Sequence, residues 1–427
     1  MGKQSTHRAG GVKEPQIEVT LTPLTDGTSR LDGLKVGDPN KRYWELDEKG
    51  AVCWQAYGEP ITIPDGVSVI GRLRCQNLGE VILPPTVREL GDLAFGAEFY
   101  TGDTYEWYAL HTVHFSQGLR CIGYRAFCNC RNLDGVHLPK GLERIEDGAF
   151  YLCLSLSRIT IPESVETIGT RAFGKCPALR EVIFRDGIRA TGGETFLEDE
   201  GLTKVILPKT LERIGSECFF GCKSLPAIDI PESVTSIGGY AFRDCTALTA
   251  FTFVRDLENA EEMRKSSPFA GCTALSEFHL TAAVSRADWI PTAPALTAIK
   301  AAPNHPLFTT VDGILFSKDK KTLLRMPAGR SGEYTIPRGV TAIAPYAFFG
   351  CSALSAVHLP STLLTIGEGA FEGCVSLTSI KLHPKIKKVE KRAFANCTAL
   401  QSASIGAARG SIAETAFLGC TALKSNT

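Results

Sequence analysis

The sequence predicts a solenoid of stacked 23-residue repeats with one parallel β-sheet running along its length. Phenylalanines recur every 23 residues, most are followed three places later by a cysteine, and a short alternating apolar segment comes next. A fixed period of roughly 20 to 50 residues is the signature of repeat architectures. We therefore expect the 427 residues to form one extended stack rather than several globular domains.

The repeat has a single frame, F-x-x-C-x-x-L-x-x-I-x-I-P-x-x-V-x-x-I-G-x-x-A. Residues 150–172 read FYLCLSLSRITIPESVETIGTRA, and the distant residues 348–370 read FFGCSALSAVHLPSTLLTIGEGA. The phenylalanines at constant spacing form two series: Phe127, Phe150, Phe173, Phe196, Phe219 and Phe242, then Phe348, Phe371, Phe394 and Phe417.

Each repeat is predicted to contribute one short strand. Leu156, Ile159 and Ile161 alternate as on a strand with one buried face, and Pro162 ends it. Successive strands point the same way, so they should pair in parallel at about 4.8 Å per repeat. The remaining V-x-x-I-G-x-x-A-F segment returns the chain, and we expect its glycine to supply a tight turn, as at Gly169, Gly215, Gly238 and Gly367.

This pattern resembles the BspA-like leucine-rich repeats, whose units carry the same I-P, I-G, A-F and C-x-x-L elements, over residues 60–427. The resemblance implies an α/β solenoid, a right-handed leucine-rich-repeat superhelix with a long parallel sheet on its concave side. It further implies a surface-associated or secreted protein that binds other proteins, as in adhesion, with no shared catalytic residues. It does not specify a ligand.

Interruptions of the frame divide the chain into four parts. Residues 1–58 are predicted to be a flexible segment and an N-terminal cap, residues 59–280 a first block of repeats, and residues 336–427 a second block. Between them, residues 281–335 form an irregular region with a predicted β-hairpin around SKDKK. No full cap follows Leu423, which leaves dimerisation or continued stacking open at that end.

Two insertions stand out inside the first block. About nine extra residues between Phe95 and Phe127 carry Tyr105, Trp107 and Tyr108, a density of aromatic residues that suits a binding anchor. The alternative is that Trp107 replaces the repeat cysteine and the tyrosines cover its edge. Four extra residues after Phe242, within RDLENAEEMRKSSP, predict a short helix capped by Asp256.

Cysteine usage points to a buried ladder of reduced thiols rather than disulfides or metal ligands. Parallel side chains on neighbouring coils aim their sulfurs alike, and free cysteine packs as a small apolar residue. Cys128 with Cys130 and Cys218 with Cys222 lack the paired C-x-x-C spacing of a zinc site. Ten cysteines stand three places after a phenylalanine: Cys130, Cys153, Cys176, Cys222, Cys245, Cys272, Cys351, Cys374, Cys397 and Cys420. Asp199 takes this place after Phe196.

The middle residue of each strand should face solvent, because side chains alternate across a strand. These residues, here named the outer row, are Ile82, His114, His137, Thr160, Ile183, Ile206, Asp229, Thr252, His279, Lys300, His358, Lys381 and Ser404. The predicted ligand-binding residues are His114, His137, Ile183, Ile206, Asp229, His279, His358, Tyr105, Trp107 and Tyr108. A pH-dependent contact or surface metal site near His111, His114 and His137 is weighed against an ordinary solvated sheet face.

The composition and motifs of the chain argue against several classes of protein function. Forty-six basic residues balance 46 acidic ones, so no net charge attracts nucleic acid, and no apolar stretch is long enough to span a membrane. Phosphate-binding loops, H-E-x-x-H and nucleophile elbows are absent, which predicts a non-enzymatic protein without cofactor or metal. We expect a protein-binding scaffold, with carbohydrate binding or a structural spacer as alternatives. The resemblance favours the cell surface or secretion, whereas the polar N-terminus and reduced thiols favour the cytoplasm.

Overall fold

The protein is a β-solenoid of about 14 stacked turns, which confirms the predicted repeat architecture. The computed structural model describes residues 17–36, 44–46, 52–54, 60–63, 65–73, 79–96, 110–404 and 411–423. Each turn has a long-strand side, formed by the L-x-x-I-x-I segment, and a short-strand side, formed around the I-G pair. Core side chains fill the space between the two sides.

The long-strand side consists of parallel strands from successive repeats, as predicted. Residues one period apart face each other, so that Arg158 pairs with Glu181 and Glu181 with Lys204. The strands form four sheets: Ile61–Thr62, Glu80–Ile82, Thr112–His114 and Gly135–Val136; Arg158–Ile161, Glu181–Phe184 and Lys204–Ile206; Ala250–Phe253, Glu277–Leu280 and Ala298–Ala301; Gly332–Thr335, Leu354–His358, Ser379–Lys381 and Ser402–Ser404.

The return side of the repeat is also β-structure, so each regular turn carries two strands rather than the single predicted one. Its strands mostly have two residues. Such short strands suffice to hold the sheet because each coil is hydrogen-bonded to the one before, as from Gly169 N to Ile145 O at 2.8 Å. Its three sheets contain Ile17–Pro23, Ser29–Val36, Val67–Ile70, Glu89–Leu90, Cys121–Ile122, Arg144–Ile145 and Thr167–Ile168; Arg213–Ile214 and Ser236–Ile237; Phe308–Val311, Ile314–Ser317, Thr322–Arg325, Ala342–Ile343, Thr365–Ile366, Lys388–Val389 and Ser411–Ile412.

Helix is nearly absent, so the α part of the expected α/β class has no counterpart along the return side. The one helix in the described residues is Ala260–Lys265, within the predicted insertion. Its N-cap is Asn259, so the predicted cap at Asp256 is wrong. The Asp256 carboxylate instead accepts hydrogen bonds from Ser285 N and from Trp289 Nε1 at 3.2 Å, which ties the following irregular turn to this one.

A stack of parallel phenylalanine rings runs through the core. From Phe95 to Phe269 consecutive rings lie 5.1–5.8 Å apart and within 11° of parallel. A second stack runs from Phe348 to Phe417 at 4.5–5.1 Å. Each buried ring covers both of its neighbours, which makes the ring stack a major apolar contribution of every repeat.

The glycine of the I-G pair does not have the predicted role of supplying a tight turn. Gly169 is not in the left-handed region, and a Cβ built on it would lie 2.3 Å from Asp147 N of the preceding coil. Close packing of neighbouring backbones therefore favours glycine there. The left-handed residues flank the A-F pair instead, as Arg171 (φ 57°) and Lys175 (φ 58°) do around Ala172 and Phe173.

The irregular region contains the predicted hairpin around SKDKK with one further antiparallel strand before it, besides the parallel strands Ala298–Ala301 and Gly332–Thr335. Phe308–Val311, Ile314–Ser317 and Thr322–Arg325 pair antiparallel in succession. The third strand then pairs in parallel with Ala342–Ile343 and begins the short-strand side of the second block. Leu315 belongs to the first core, whereas Ile314 and Phe316 belong to the second, so the middle strand separates two hydrophobic cores.

An antiparallel hairpin extends the short-strand side at its first end. Ile17–Pro23 pairs with Ser29–Val36, which in turn pairs in parallel with Val67–Ile70. Leu31 of this hairpin is fully buried against the first core. A separate hairpin joins Trp44–Leu46 and Val52–Trp54. No helix among the described residues is long and apolar enough to cross a membrane.

Candidate binding surface

The outer row lies on the solvent side of the long strands. All of its thirteen residues are exposed or half-exposed, whereas the residues on either side of them along each strand are largely buried. The strand Arg158–Ile161 shows the alternation, since Arg158 and Thr160 are exposed while Ile159 and Ile161 are buried. Alternation along a pleated strand fixes this placement.

Strand register brings neighbours of the outer row directly opposite each other. Ile82 faces His114, Thr252 faces His279, and Lys381 faces Ser404. The row is thus a set of side-by-side contacts held by backbone pairing. It is interrupted at Asp229, which is exposed between buried Ile228 and Ile230 but lies outside any strand. Pro226 and Pro231 flank that segment and lack the backbone N–H groups a strand would donate.

A repeated hydroxyl contact that the sequence pattern did not single out helps to hold the coils in register. Serine or threonine two places after the repeat proline donates to a carbonyl of the preceding coil. Ser164 Oγ reaches Leu142 O at 2.6 Å, and Thr362 Oγ1 reaches Val340 O at 2.8 Å. Ser233 and Thr210 do the same. The P-x-S/T spacing was the available signal for this contact.

Three of the four histidines of the outer row are paired with glutamates rather than gathered into one site; the fourth, His137, is exposed just after the strand Gly135–Val136. His114 Nε2 contacts Glu80 Oε1. His279 Nε2 lies 2.9 Å from Glu277 Oε2. His358 Nε2 lies 3.2 Å from a Glu333 oxygen.

Near the first of these pairs, His111 Nδ1 contacts Thr112 Oγ1 at 3.0 Å. Within the described ranges, no group of three or more His, Cys, Asp or Glu side chains is arranged to hold a metal ion.

Ile183 and Ile206 form an apolar pair at the middle of the first block. They lie directly opposite each other on adjacent strands, and the Ile206 side chain is 42% exposed. An ion pair borders them, with Lys204 Nζ 2.6 Å from Glu181 Oε1. The hydrogen bond from Lys204 lowers the pKa of Glu181 below its ordinary value. The pair therefore has the form of a small apolar centre with a charged rim.

Tyr105, Trp107 and Tyr108, the predicted aromatic anchors, lie outside the described residues. The chain is described up to Gly96 and again from Leu110, which is buried in the first core.

The repeat cysteines are buried free thiols with a common hydrogen-bond acceptor. Nine of the ten donate their thiol to the carbonyl oxygen of the phenylalanine one coil earlier, at 3.0–3.3 Å, as Cys153 does to Phe127. Cys351 lies 3.9 Å from Met326 O, because the preceding turn has no phenylalanine in this place. Burial raises the pKa of the Cys153 thiol well above its ordinary value, which suppresses its nucleophilic form.

Asp199 replaces a cysteine in this series and is fully buried. Its Oδ1 accepts a hydrogen bond from Cys176 N at 2.7 Å, and its Oδ2 has no partner among the described residues. Burial raises the pKa of the carboxyl well above its ordinary value. Thr191 and Thr195 are also buried nearby, and Thr191 Oγ1 accepts Gly215 N at 2.9 Å. This polar cluster has no access to solvent and belongs to the core.

Taken together, the fold and the outer row define a non-globular repeat protein with one long, regular solvent-facing sheet. BspA type leucine rich repeat regions match residues 102–199, 191–288 and 331–427 in six copies, and the chain belongs to this family. A comparison with curated proteins found no match.

Solved structures show similar folds. A leucine-rich repeat protein from Bacteroides ovatus is 25% identical, over 98% of this chain and 94% of its own, with a TM-score of 0.56. A leucine rich cell surface protein from Faecalibacterium prausnitzii is 22% identical, over 97% of this chain and 95% of its own, with a TM-score of 0.36. A leucine-rich repeat protein from Eubacterium ventriosum is 23% identical, over 58% and 65%, with a TM-score of 0.44.

Proposed function

We propose that this protein is a non-enzymatic scaffold that binds another protein through its outer row, with Ile183 and Ile206 at the centre of the contact. The observation that carries the proposal is this exposed apolar pair on a rigid sheet, bordered by the Lys204–Glu181 ion pair. Interfaces draw most of their affinity from a few apolar residues that a polar rim shields from water. The strands already hold the pair in register, so binding costs little conformational entropy.

The dimensions of the outer row support a protein-sized partner. Thirteen positions at about 4.8 Å and strands of about 13 Å give a strip of roughly 800 Å². This is close to the roughly 800 Å² per partner of a standard protein interface. A partner that lies along most of the row would therefore form an interface of ordinary size.

The chemistry of the described residues supports binding rather than catalysis. Except for Cys420 near the end of the solenoid, the repeat thiols are buried; burial raises the pKa of thiols such as Cys153, and Asp199 is closed off from solvent. His114, His279 and His358 each pair with a separate glutamate instead of forming a nucleophile and base with a shared pocket. Membership of the BspA-like family, whose resemblance implies surface-associated binding proteins, supports a cell-surface setting and a role in adhesion.

The proposal is tested by binding of the intact chain to immobilised extracellular-matrix proteins. Ile183→Ser with Ile206→Ser should weaken a specific interaction at least tenfold, and Leu307→Ser with Val375→Ser should leave it unchanged. Leu307 and Val375 are equally exposed apolar residues away from the outer row. Equal affinity for both double variants would remove the isoleucine pair from the proposed interface. Labelling of intact cells with a membrane-impermeant reagent tests the cell-surface setting.

A further inference from the structure

The two blocks of the solenoid differ in charge although the whole chain is neutral. Residues 318–404, which comprise the end of the irregular region and most of the second block, contain 12 Lys and Arg but five Asp and Glu, so this part of the chain is strongly basic. A charge asymmetry of this kind creates a local positive potential that the neutral total conceals.

The carboxylates of this block are engaged away from most of the excess cations. Glu368 pairs with Lys391, Glu372 with Arg392, and Glu390 with Lys388. Of the other two, Glu333 contacts His358, and Asp319 accepts hydrogen bonds from Ser317 Oγ and Lys321 N. Among the described residues, the ammonium groups of Lys321, Lys385 and Lys387 are not in ion pairs.

Several unpaired cations occupy one edge of the coil. Arg338, Lys385 and Lys387 lie where the chain turns from a long strand to a short strand, and Lys320 and Lys321 lie in the turn between Ile314–Ser317 and Thr322–Arg325. We name Lys320, Lys321, Arg338, Lys385 and Lys387 the basic edge; all five are exposed. Backbone hydrogen bonds set its length, running from Lys321 O to Thr341 N, from Thr341 O to Leu364 N, and from Leu364 O to Lys387 N, at 2.7–2.8 Å. Three coil steps separate Lys321 from Lys387, or about 14 Å.

In the first block, the charged residues of the equivalent column from Arg120 to Glu258 are either paired or acidic. Arg120 pairs with Glu143 on the next coil at 3.5 Å, and Arg189 pairs with Glu212. Glu166 and Glu258 occupy equivalent places further along the edge. Lys140 and Lys209, which follow the repeat proline as Arg338 does, are isolated unpaired cations on this edge of the first block, whereas the basic edge gathers five cations.

We propose that the basic edge binds a linear acidic polysaccharide that carries sulfate or carboxylate groups along its length. Lysines on a rigid backbone present point charges at fixed spacing, which suits anionic groups repeated along a chain. The exposed hydroxyl of Ser361 lies between the charged ends and can donate a hydrogen bond to a sugar oxygen.

Other polyanions fit the edge less well. Single-stranded nucleic acid is usually held by aromatic side chains on which bases stack, whereas the basic edge consists of lysine and arginine side chains. Anionic membranes are usually bound by an amphipathic element that also inserts apolar side chains, whereas Ser361 and Thr362 make this edge polar. Both remain comparison ligands in the test.

The test measures binding of the full chain to heparin and dextran sulfate, with uncharged dextran as the ligand control. We expect the wild-type affinity to fall as salt rises, because binding releases counterions. Lys321→Gln with Lys385→Gln and Lys387→Gln should weaken binding at least tenfold at low salt and flatten its salt dependence. The matched control, Lys140→Gln with Lys209→Gln and Arg213→Gln, removes three exposed cations without ion-pair partners from the first block and should change affinity less than twofold.

Two outcomes would overturn the proposal. Absence of wild-type binding, or equal loss in both triple variants, would show that no site exists at the basic edge. Equal or tighter binding of single-stranded DNA or of phosphatidylglycerol vesicles, with the same dependence on the three lysines, would assign the edge to a different polyanion. Urea midpoints within the error of wild type establish that the variants remain folded.

Discussion

The carboxylate of Asp199 accepts a hydrogen bond from the backbone N–H of Cys176 in the preceding coil, with Oδ1 2.7 Å from the nitrogen. In other repeats this N–H points to its own phenylalanine carbonyl, as Cys153 N does to Phe150 O. The substitution of a carboxyl for a thiol therefore changes the local hydrogen bonding and leaves Oδ2 buried without a partner. A buried polar atom of this kind costs about 1–3 kcal/mol.

Asp199→Cys should restore the repeat pattern and stabilise the protein by about 1–2 kcal/mol, because it removes a buried polar group and adds a thiol donor for Phe173 O. Equilibrium urea unfolding measures this change. Asp244→Asn serves as the control, since Asp244 is half-exposed. A loss of stability in Asp199→Cys would show that the carboxyl contributes favourably to the fold.

The pH dependence of stability should also report on Asp199. Burial raises its folded pKa, so the folded state binds this proton more tightly than the unfolded state, whose pKa is about 4. Its contribution is present below pH 4 and is lost as pH rises toward the folded pKa. Glu181 and Glu277 act in the opposite direction because their pKa values are lowered.

The difference between wild type and Asp199→Asn isolates the single carboxyl. The stability of wild type relative to the variant should fall as pH rises above about 4, as measured by urea midpoints over a pH series. A constant difference would mean that the proton on Asp199 is not linked to folding.

Gly215→Ala should destabilise the protein by about 1–3 kcal/mol, because a Cβ there would lie 2.2 Å from Gly192 O of the preceding coil. Gly193→Ala is the matched control, since its Cβ would come no closer than 3.5 Å to Ser216 O. Thermal denaturation of both variants tests the close approach of neighbouring coils. Equal melting temperatures would contradict it.

Removal of one ring from the phenylalanine stack should cost more in its middle than at its end. Phe196→Ala is expected to lose about 3–5 kcal/mol, because Phe196 is fully buried between Phe173 and Phe219. Phe417→Ala should lose less, since Phe417 is half-buried and stacks on Phe394. Denaturant unfolding orders the two variants, and the reverse order would contradict the stack as the main core contact.

Among the cysteines of the described residues, Cys420 should react first with a thiol reagent. It is half-buried, and its hydrogen bond with Cys397 lowers its pKa, whereas burial raises the pKa values of thiols such as Cys153. Brief alkylation of the native protein followed by peptide mass spectrometry should therefore find label on Cys420 and little on Cys153. Faster labelling of Cys153 would show that the coils open readily.

The repeat frame made much of this architecture predictable. The phenylalanine period gave the stacked coils, and alternation in segments such as Arg158–Ile161 gave both the parallel strands and the solvent-facing outer row. Whether that row binds a partner is still a prediction, as are the roles of Tyr105, Trp107 and Tyr108. The Asp256 cap was wrong because the sequence places an acidic residue near a helix without showing that a later turn, through Ser285 and Trp289, competes for it.

The sequence by itself determined the period, the buried positions and the direction of the chain, because these follow from spacing along one repeat. Only the tertiary structure decided what each repeat does to its neighbours. The backbone of the previous coil leaves no room for a Cβ at Gly169, and the thiol of Cys153 donates to the carbonyl of Phe127. Backbone hydrogen bonds between successive coils bring Lys387 into line with Lys321. These relations join residues about one or more periods apart, and a local pattern does not specify which atoms of two coils will meet.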